Sequence, residues 1–202
     1  MDGRAQRGDR TRRVVADQAA AIASVDGLSG MTLSQLASAL GVAKSSVQAA
    51  YGSKEDVQLA AVAAASEIFV SAVVAPALDL PEGLPQLRSL VDSWLGYVER
   101  RVFPGGCFMV ATLSEFDSRP GPVRDALARN RRGWLSLLER QATVAQAAGD
   151  IPSSPSAAMV AFEIDALLSA ANVDRNFCDD TSPLEAARAL ISFRLGDAPA
   201  PR

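Results

Sequence analysis

Apolar positions recur every three to four residues along almost the whole chain, and nowhere do they alternate over a β-branched run. That period predicts helices throughout. Val15, Ala19, Ile22 and Ala23 mark one face of a first helix over about 11–25, which Asp26-Gly27 should end. Leu33, Leu36, Ala37 and Leu40 give a second helix. Thr32 is placed as its N-cap and Gln35 stands at the capping-box position. Gly41 follows as a turn, and Val42, Val47 and Tyr51 are the inward positions of a third, short helix. Ser53-Lys54-Glu55-Asp56 reads as the capped start of a long Ala/Val-rich helix reaching about Ala75.

Pro76, Pro81, Gly83 and Pro85 then punctuate a linker. Beyond it the same period predicts helices over about 84–102 and 107–116. A longer one, carrying Val123, Leu127, Trp134 and Leu138 on one stripe, runs to about 148. Another spans about 155–177. The last opens at Ser182-Pro183-Leu184-Glu185, with a serine cap, proline at the first helical position and a capping-box glutamate, and ends near Leu195. The expected fold is all-α with about nine helices. Its expected domains are a disordered basic tail (1–10), a helical head (11–57, its fourth helix linking on to about 75) and a larger helical body (76–202).

Charge sharpens this division. The chain of 202 residues carries −3 overall, but residues 1–54 hold seven Lys/Arg against four Asp/Glu, and the remainder 13 against 19. A basic end on an acidic body is the footprint of a polyanion contacted at one end. Arg4, Arg7, Arg10, Arg12 and Arg13 supply most of it, either as a DNA-reaching arm or as a solvated tail. Histidine is absent, which excludes Ser-His-Asp and Cys-His catalysis and any His-ligated metal. Neither GxxxxGK[ST] nor GxGxxG occurs. No enzyme activity, metal or cofactor is expected. The start lacks an apolar signal region, and the longest charge-free run, Gly27 to Ala43, has eight Gly, Ser, Thr or Gln among its 17 residues. A soluble cytoplasmic protein with no membrane partner is the expectation.

The segment from Thr32 to Lys54 concentrates the chemistry. Two short helices that cross closely need a small residue at the crossing, here Ala37, and a turn residue tolerant of positive φ, here Gly41. Val42 and Val47 would lock the second helix. Lys44, Ser45, Ser46 and Gln48 would then face outward, short polar and cationic groups suited to phosphates and base edges. An ordinary αα-hairpin is the competing reading of the same spacing.

Thr11-Arg12, Thr32, Gly41-Val42-Ala43-Lys44 and Tyr51-Gly52-Ser53-Lys54-Glu55 together resemble the N-terminal domain of the TetR family of bacterial transcriptional regulators, over residues 11–75. The resemblance implies a homodimeric, ligand-responsive protein that binds a double-stranded DNA operator, usually as a repressor. It implies a backbone contact for Lys54, a phosphate contact for Thr32 beside its capping role, and a DNA-side position for Tyr51. One departure stands out. Where the family carries a tyrosine late in the recognition helix, this chain has Gln48-Ala49-Ala50, so Gln48 becomes the candidate for reading adenine or bonding a phosphate.

In the body, the helix near 155–177 is apolar over most of its circumference. Met159, Phe162, Ala166, Ala170, Val173 and Phe177 lie on one side. Leu184, Ala187, Ile191 and Leu195 stripe the last helix. These two helices, about 155–177 and 183–195, are the expected homodimer surface, as they are in the family. A centrally buried helix is the other reading. The resemblance also implies a pocket for an unknown small-molecule effector among Trp94, Tyr97, Phe108, Met109, Phe116, Asn130, Trp134, Phe162 and Glu163, with Phe103 and Asn172 as neighbours. Cys107 stands at a helix start, where a thiol pKa falls, so an electrophile- or redox-sensing regulator is an alternative to an inert buried cysteine. A helical interaction protein that has lost DNA binding is a further alternative.

Overall fold

A computed structural model describes residues 3–196, with side chains from residue 8 onward. Among the described residues there are α-helices and no strand. They are α1 (Gly3–Gly30), α2 (Leu33–Leu40), α3 (Lys44–Tyr51), α4 (Lys54–Phe69), α5 (Ala75–Leu78), α6 (Leu84–Glu99), α7 (Phe108–Phe116), α8 (Pro122–Ala148), α9 (Ala157–Cys178) and α10 (Ser182–Arg194). A π-helical turn, Val70–Val74, joins α4 to α5. Counted as one continuous rod, 54–78 brings the described helices to nine. By length and composition alone this rod is apolar enough to cross a membrane, a property it shares with core helices of soluble proteins.

Several ends fall where local chemistry predicts them. The helical path of α1 breaks at Gly27 (φ 74°, ψ 161°), directly after Asp26. Thr32 caps α2 in a reciprocal box: its Oγ1 accepts the Gln35 N–H at 3.1 Å, and Gln35 Oε1 accepts the Thr32 N–H at 3.0 Å. Gly41 takes the left-handed conformation (φ 64°, ψ 30°) that a side chain would oppose, and its N–H reaches back to the Ala37 and Ser38 carbonyls. Ser53 and Asp56 cap α4 reciprocally.

Other ends differ. α1 begins at Gly3, so residues 3–10 expected as a disordered tail are helical; Met1 and Asp2 lie outside the described residues. α6 stops at Glu99 rather than near Val102. The last helix is capped at Thr181, not Ser182, and without a side-chain bond. Asp180 takes over locally: its carboxylate accepts the Ser182 N–H and hydroxyl, which holds its pKa below the usual value. That Asx-type turn competes with the serine cap read from the sequence.

The chain divides into two compact units, one of residues up to Ile68 with Phe103–Arg129, the other of Phe69–Val102 with the chain from Asn130 onward. The division falls within α4 and α8 rather than in the proline-rich linker, because α7 packs against α1.

The first unit is centred on Val15, Ala19, Ala23, Leu36, Ala37 and Val47, all buried between α1, α2 and α3. Gly105 explains part of its α7 side. A Cβ there would lie 1.8 Å from the Ser24 carbonyl oxygen, so only glycine lets the loop press onto α1, and its N–H donates to Ser24 Oγ at 3.1 Å. Gly105, between α6 and α7, thus serves close packing.

The second unit is built on α6, α8, α9 and α10, with Leu87, Leu90, Trp94, Leu138, Ile164, Leu168 and Ile191 buried in it. Polar ties link the helices. Gly83 donates to buried Gln141 at 2.9 Å, and Arg188 of α10 pairs with Asp92 of α6.

Candidate nucleic-acid interface and effector region

Helix α3 presents a polar, cationic outer face. Val47 is buried against the unit, while Lys44, Ser45, Ser46 and Gln48 are all exposed. The N-cap of α3 is Ala43, whose side chain cannot cap, and no side-chain cap bond is made. In its first turn the Ser46 N–H donates to the Ala43 carbonyl at 2.9 Å. Val42 does not lock the helix from inside as expected: it is 45% exposed, because the turn at Gly41 swings it outward.

Tyr51 is half-buried, and its phenol donates to the Arg12 carbonyl at 2.6 Å. Burial pushes that phenol above its ordinary pKa, against the pull of the Arg12 guanidinium, so it stays a proton donor. Arg12 Nε in turn donates to the Ala50 carbonyl at 3.2 Å. Tyr51 and Arg12 therefore pin the end of α3 to α1. Arg13 is taken up by Asp17 and by Glu67 at 2.7 Å. Of the basic arm, Arg10 is exposed; the side chains of Arg4 and Arg7 lie outside the described residues.

Lys54 and Thr32 both have intramolecular duties. Lys54 Nζ donates to the Ser29 carbonyl at 2.6 Å. The Thr32 hydroxyl donates to Gln35 Oε1 at 3.0 Å, leaving its oxygen to cap.

The end of α1 beyond the break at Gly27, at Leu28–Ser29, is gripped from several sides. Glu115 of α7 accepts both N–H groups, Leu28 and Ser29, each at 2.8 Å. Gln58 donates to the Leu28 carbonyl at 2.8 Å, and Arg119 donates to Ser29 Oγ at 3.0 Å. Sequence reading missed this set, since Glu115 lies more than 80 residues from its partners.

The residues proposed for an effector pocket are shared between the two units. Phe108, Met109 and Phe116 belong to the first unit, where Phe108 packs on Phe103 with ring centroids 6.0 Å apart. Trp94, Tyr97, Asn130 and Trp134 belong to the second. There, Phe69 stands edge-on to both Tyr97 (5.7 Å) and Trp134 (5.3 Å). Trp134 Nε1 donates to Asp165 Oδ1 at 3.1 Å, and Arg131 donates to Oδ2 at 2.7 Å. Asp165 is buried, and both of its oxygens are engaged. This aromatic and acidic cluster is the polar feature that periodicity failed to single out.

Two expected pocket residues lie elsewhere. Phe162 is 66% exposed, on the outer side of α9. Glu163 forms a two-point pair with Arg194 (2.6 and 3.0 Å), tying α9 to α10 and raising the Arg194 pKa. Met159, Phe162, Ala166, Ala170, Val173 and Phe177 are all exposed, forming an apolar stripe along α9, and Leu190 and Phe193 of α10 are exposed too. Cys107 is the N-cap residue of α7, as its spacing suggests, but only 2% exposed; the exposed thiol is Cys178, at the end of α9.

An all-α chain whose third helix presents a polar, cationic outer face belongs structurally with the helix-turn-helix regulators. Comparison narrows the class. Residues 83–191 match the family described as the tetracyclin repressor-like C-terminal domain. A TetR transcriptional regulator from Chloroflexus aurantiacus has a similar structure: 25% identity, TM-score 0.81, covering 93% of this chain and 95% of that one. So does a TetR-family regulator from Agrobacterium tumefaciens, at 16% identity, TM-score 0.83, 93% and 98% coverage. AibR, solved with isovaleryl coenzyme A and operator DNA, aligns at 16% identity, TM-score 0.75, 93% and 99% coverage. No curated protein is significantly similar in sequence. The chain belongs to the TetR family and is a transcriptional regulator.

Proposed function

We propose that this regulator is a cytoplasmic repressor that binds a palindromic operator as a homodimer and leaves it when a small molecule occupies the body. The observation carrying the reading is the outer face of α3, where Lys44, Ser45, Ser46 and Gln48 are exposed while Val47 alone is buried. Residues 11–57 supply the DNA-binding part and 76–202 the effector and dimer part. The apolar stripe on α9 and α10 supports self-association, and two recognition helices related by a two-fold axis would reach half-sites about 34–36 Å apart or a multiple of that. AibR, with its acyl thioester and operator, is the precedent for coupling the two ligands.

Selection of binding sites from genomic DNA with the full-length protein tests the reading. A paired motif with half-sites one or more helical turns apart is expected. Gln48→Ala should relax preference at one or two positions of each half-site, costing about 1–3 kcal/mol on the best sequence and little on others. Recovery of no enriched motif would instead favour a helical interaction protein.

A further inference from the structure

Arg175 lies on α9 and is only 6% exposed. Its Nη2 donates to the Glu99 carbonyl at 3.1 Å, which caps the end of α6. Its Nε and Nη1 are buried and have no acceptor among the described residues. A buried guanidinium with idle donors is unfavourable unless something pairs with it. The other buried charge on α9, Asp165, is paired with Arg131 and hydrogen-bonded by Trp134, so it does not compete for Arg175.

A partner subunit cannot supply the missing acceptor across the apolar stripe. Val173 and Phe177 of that stripe stand two residues either side of Arg175, about 200° away around the helix. The side of α9 that carries Arg175 faces the interior of the second unit, where a bound molecule could supply an acceptor. The buried face of α9 leading to Arg175 is largely apolar, with Ile164, Leu168 and Ala171. One positive charge deep among such groups suits a monoanion, since a dianion would leave net buried charge.

We propose that the effector is a small monocarboxylate with an apolar body, and that Arg175 receives its carboxylate. This rests on the reading that the body holds an effector, and names its chemical class. The test titrates full-length protein with phenylacetate, hexanoate and decanoate, and with the matching neutral amides, by calorimetry. At least one acid should bind tenfold or more tightly than its amide. Arg175→Gln should erase that preference, and Arg175→Lys should keep part of it. The proposal is overturned if no acid binds, if acid and amide bind alike, or if Arg175→Gln leaves acid binding unchanged. Should the variants fail to fold, the acid-against-amide comparison on the native chain decides alone. Operator affinity measured with and without each compound separates the two levels. An acid that binds through Arg175 without loosening the operator upholds the site and removes the effector reading. Release by a neutral amide, with the acids inert, keeps an effector and removes the carboxylate assignment.

Discussion

Glu115 shows how one side chain can hold a helix end from a distance in sequence. Its two oxygens take the N–H groups of Leu28 and Ser29, donors that the break at Gly27 removes from the helical ladder. Glu115→Gln keeps the shape and loses the charge assistance and one acceptor. It should destabilise the fold by about 1–3 kcal/mol in urea melts and weaken operator binding more than stability alone explains. Unchanged operator affinity at lowered stability would confine Glu115 to a structural role. No local pattern could reveal this pairing. The Thr32–Gln35 box, by contrast, was legible because both partners sit within four residues. Glu163 and Asp165 mark the same boundary. They lie about 200° apart on a helix apolar nearly all round, so periodicity could not say which faced inward. The residue singled out, Glu163, is a surface clamp, and the one passed over is the buried acid.

At the scale of elements, the helices themselves were legible, because a period of three to four apolar residues records which face is buried. Their ends were legible where a cap is local, as at Thr32, Gly41 and Ser53. They were misplaced where a neighbouring turn intervened, as Asp180 does ahead of α10. The loop at Gly105 belongs with the features settled by distant contact. Gly105→Ala would drive a methyl group into the Ser24 carbonyl, a backbone atom that cannot rotate away. We expect a loss of about 1–3 kcal/mol, read as a lower thermal midpoint, with the same change at Gly133, where a Cβ meets nothing, close to neutral or stabilising.

For the whole molecule, the sequence indicated the all-α fold, the family and an apolar outer face on α9. It placed Phe162 in two roles at once, dimer stripe and pocket, and exposure favours the first. Large apolar side chains left in water along one stripe are unusual for a monomer. Phe162→Glu combined with Phe193→Glu should yield a folded monomer by sedimentation, with native helix content and operator affinity reduced at least a hundredfold, because two half-sites can no longer be held together. A dimer that survives both changes would place self-association on another surface. The expected domain boundary in the proline-rich linker did not anticipate that α7 packs with α1, since a contact across that span leaves no mark on either segment's own pattern.

The wide turn at Val70–Val74 gives the rod from α4 to α5 an unusual freedom. A π turn holds more residues per revolution than the α-helix around it. Losing a residue there can tighten the turn to α geometry while the flanking segments keep the directions in which their side chains point. Losing one within Lys54–Phe69 would instead rotate everything downstream by about 100°. The chain can therefore shed a residue in this segment across its descendants without resetting the phase of the helix on either side.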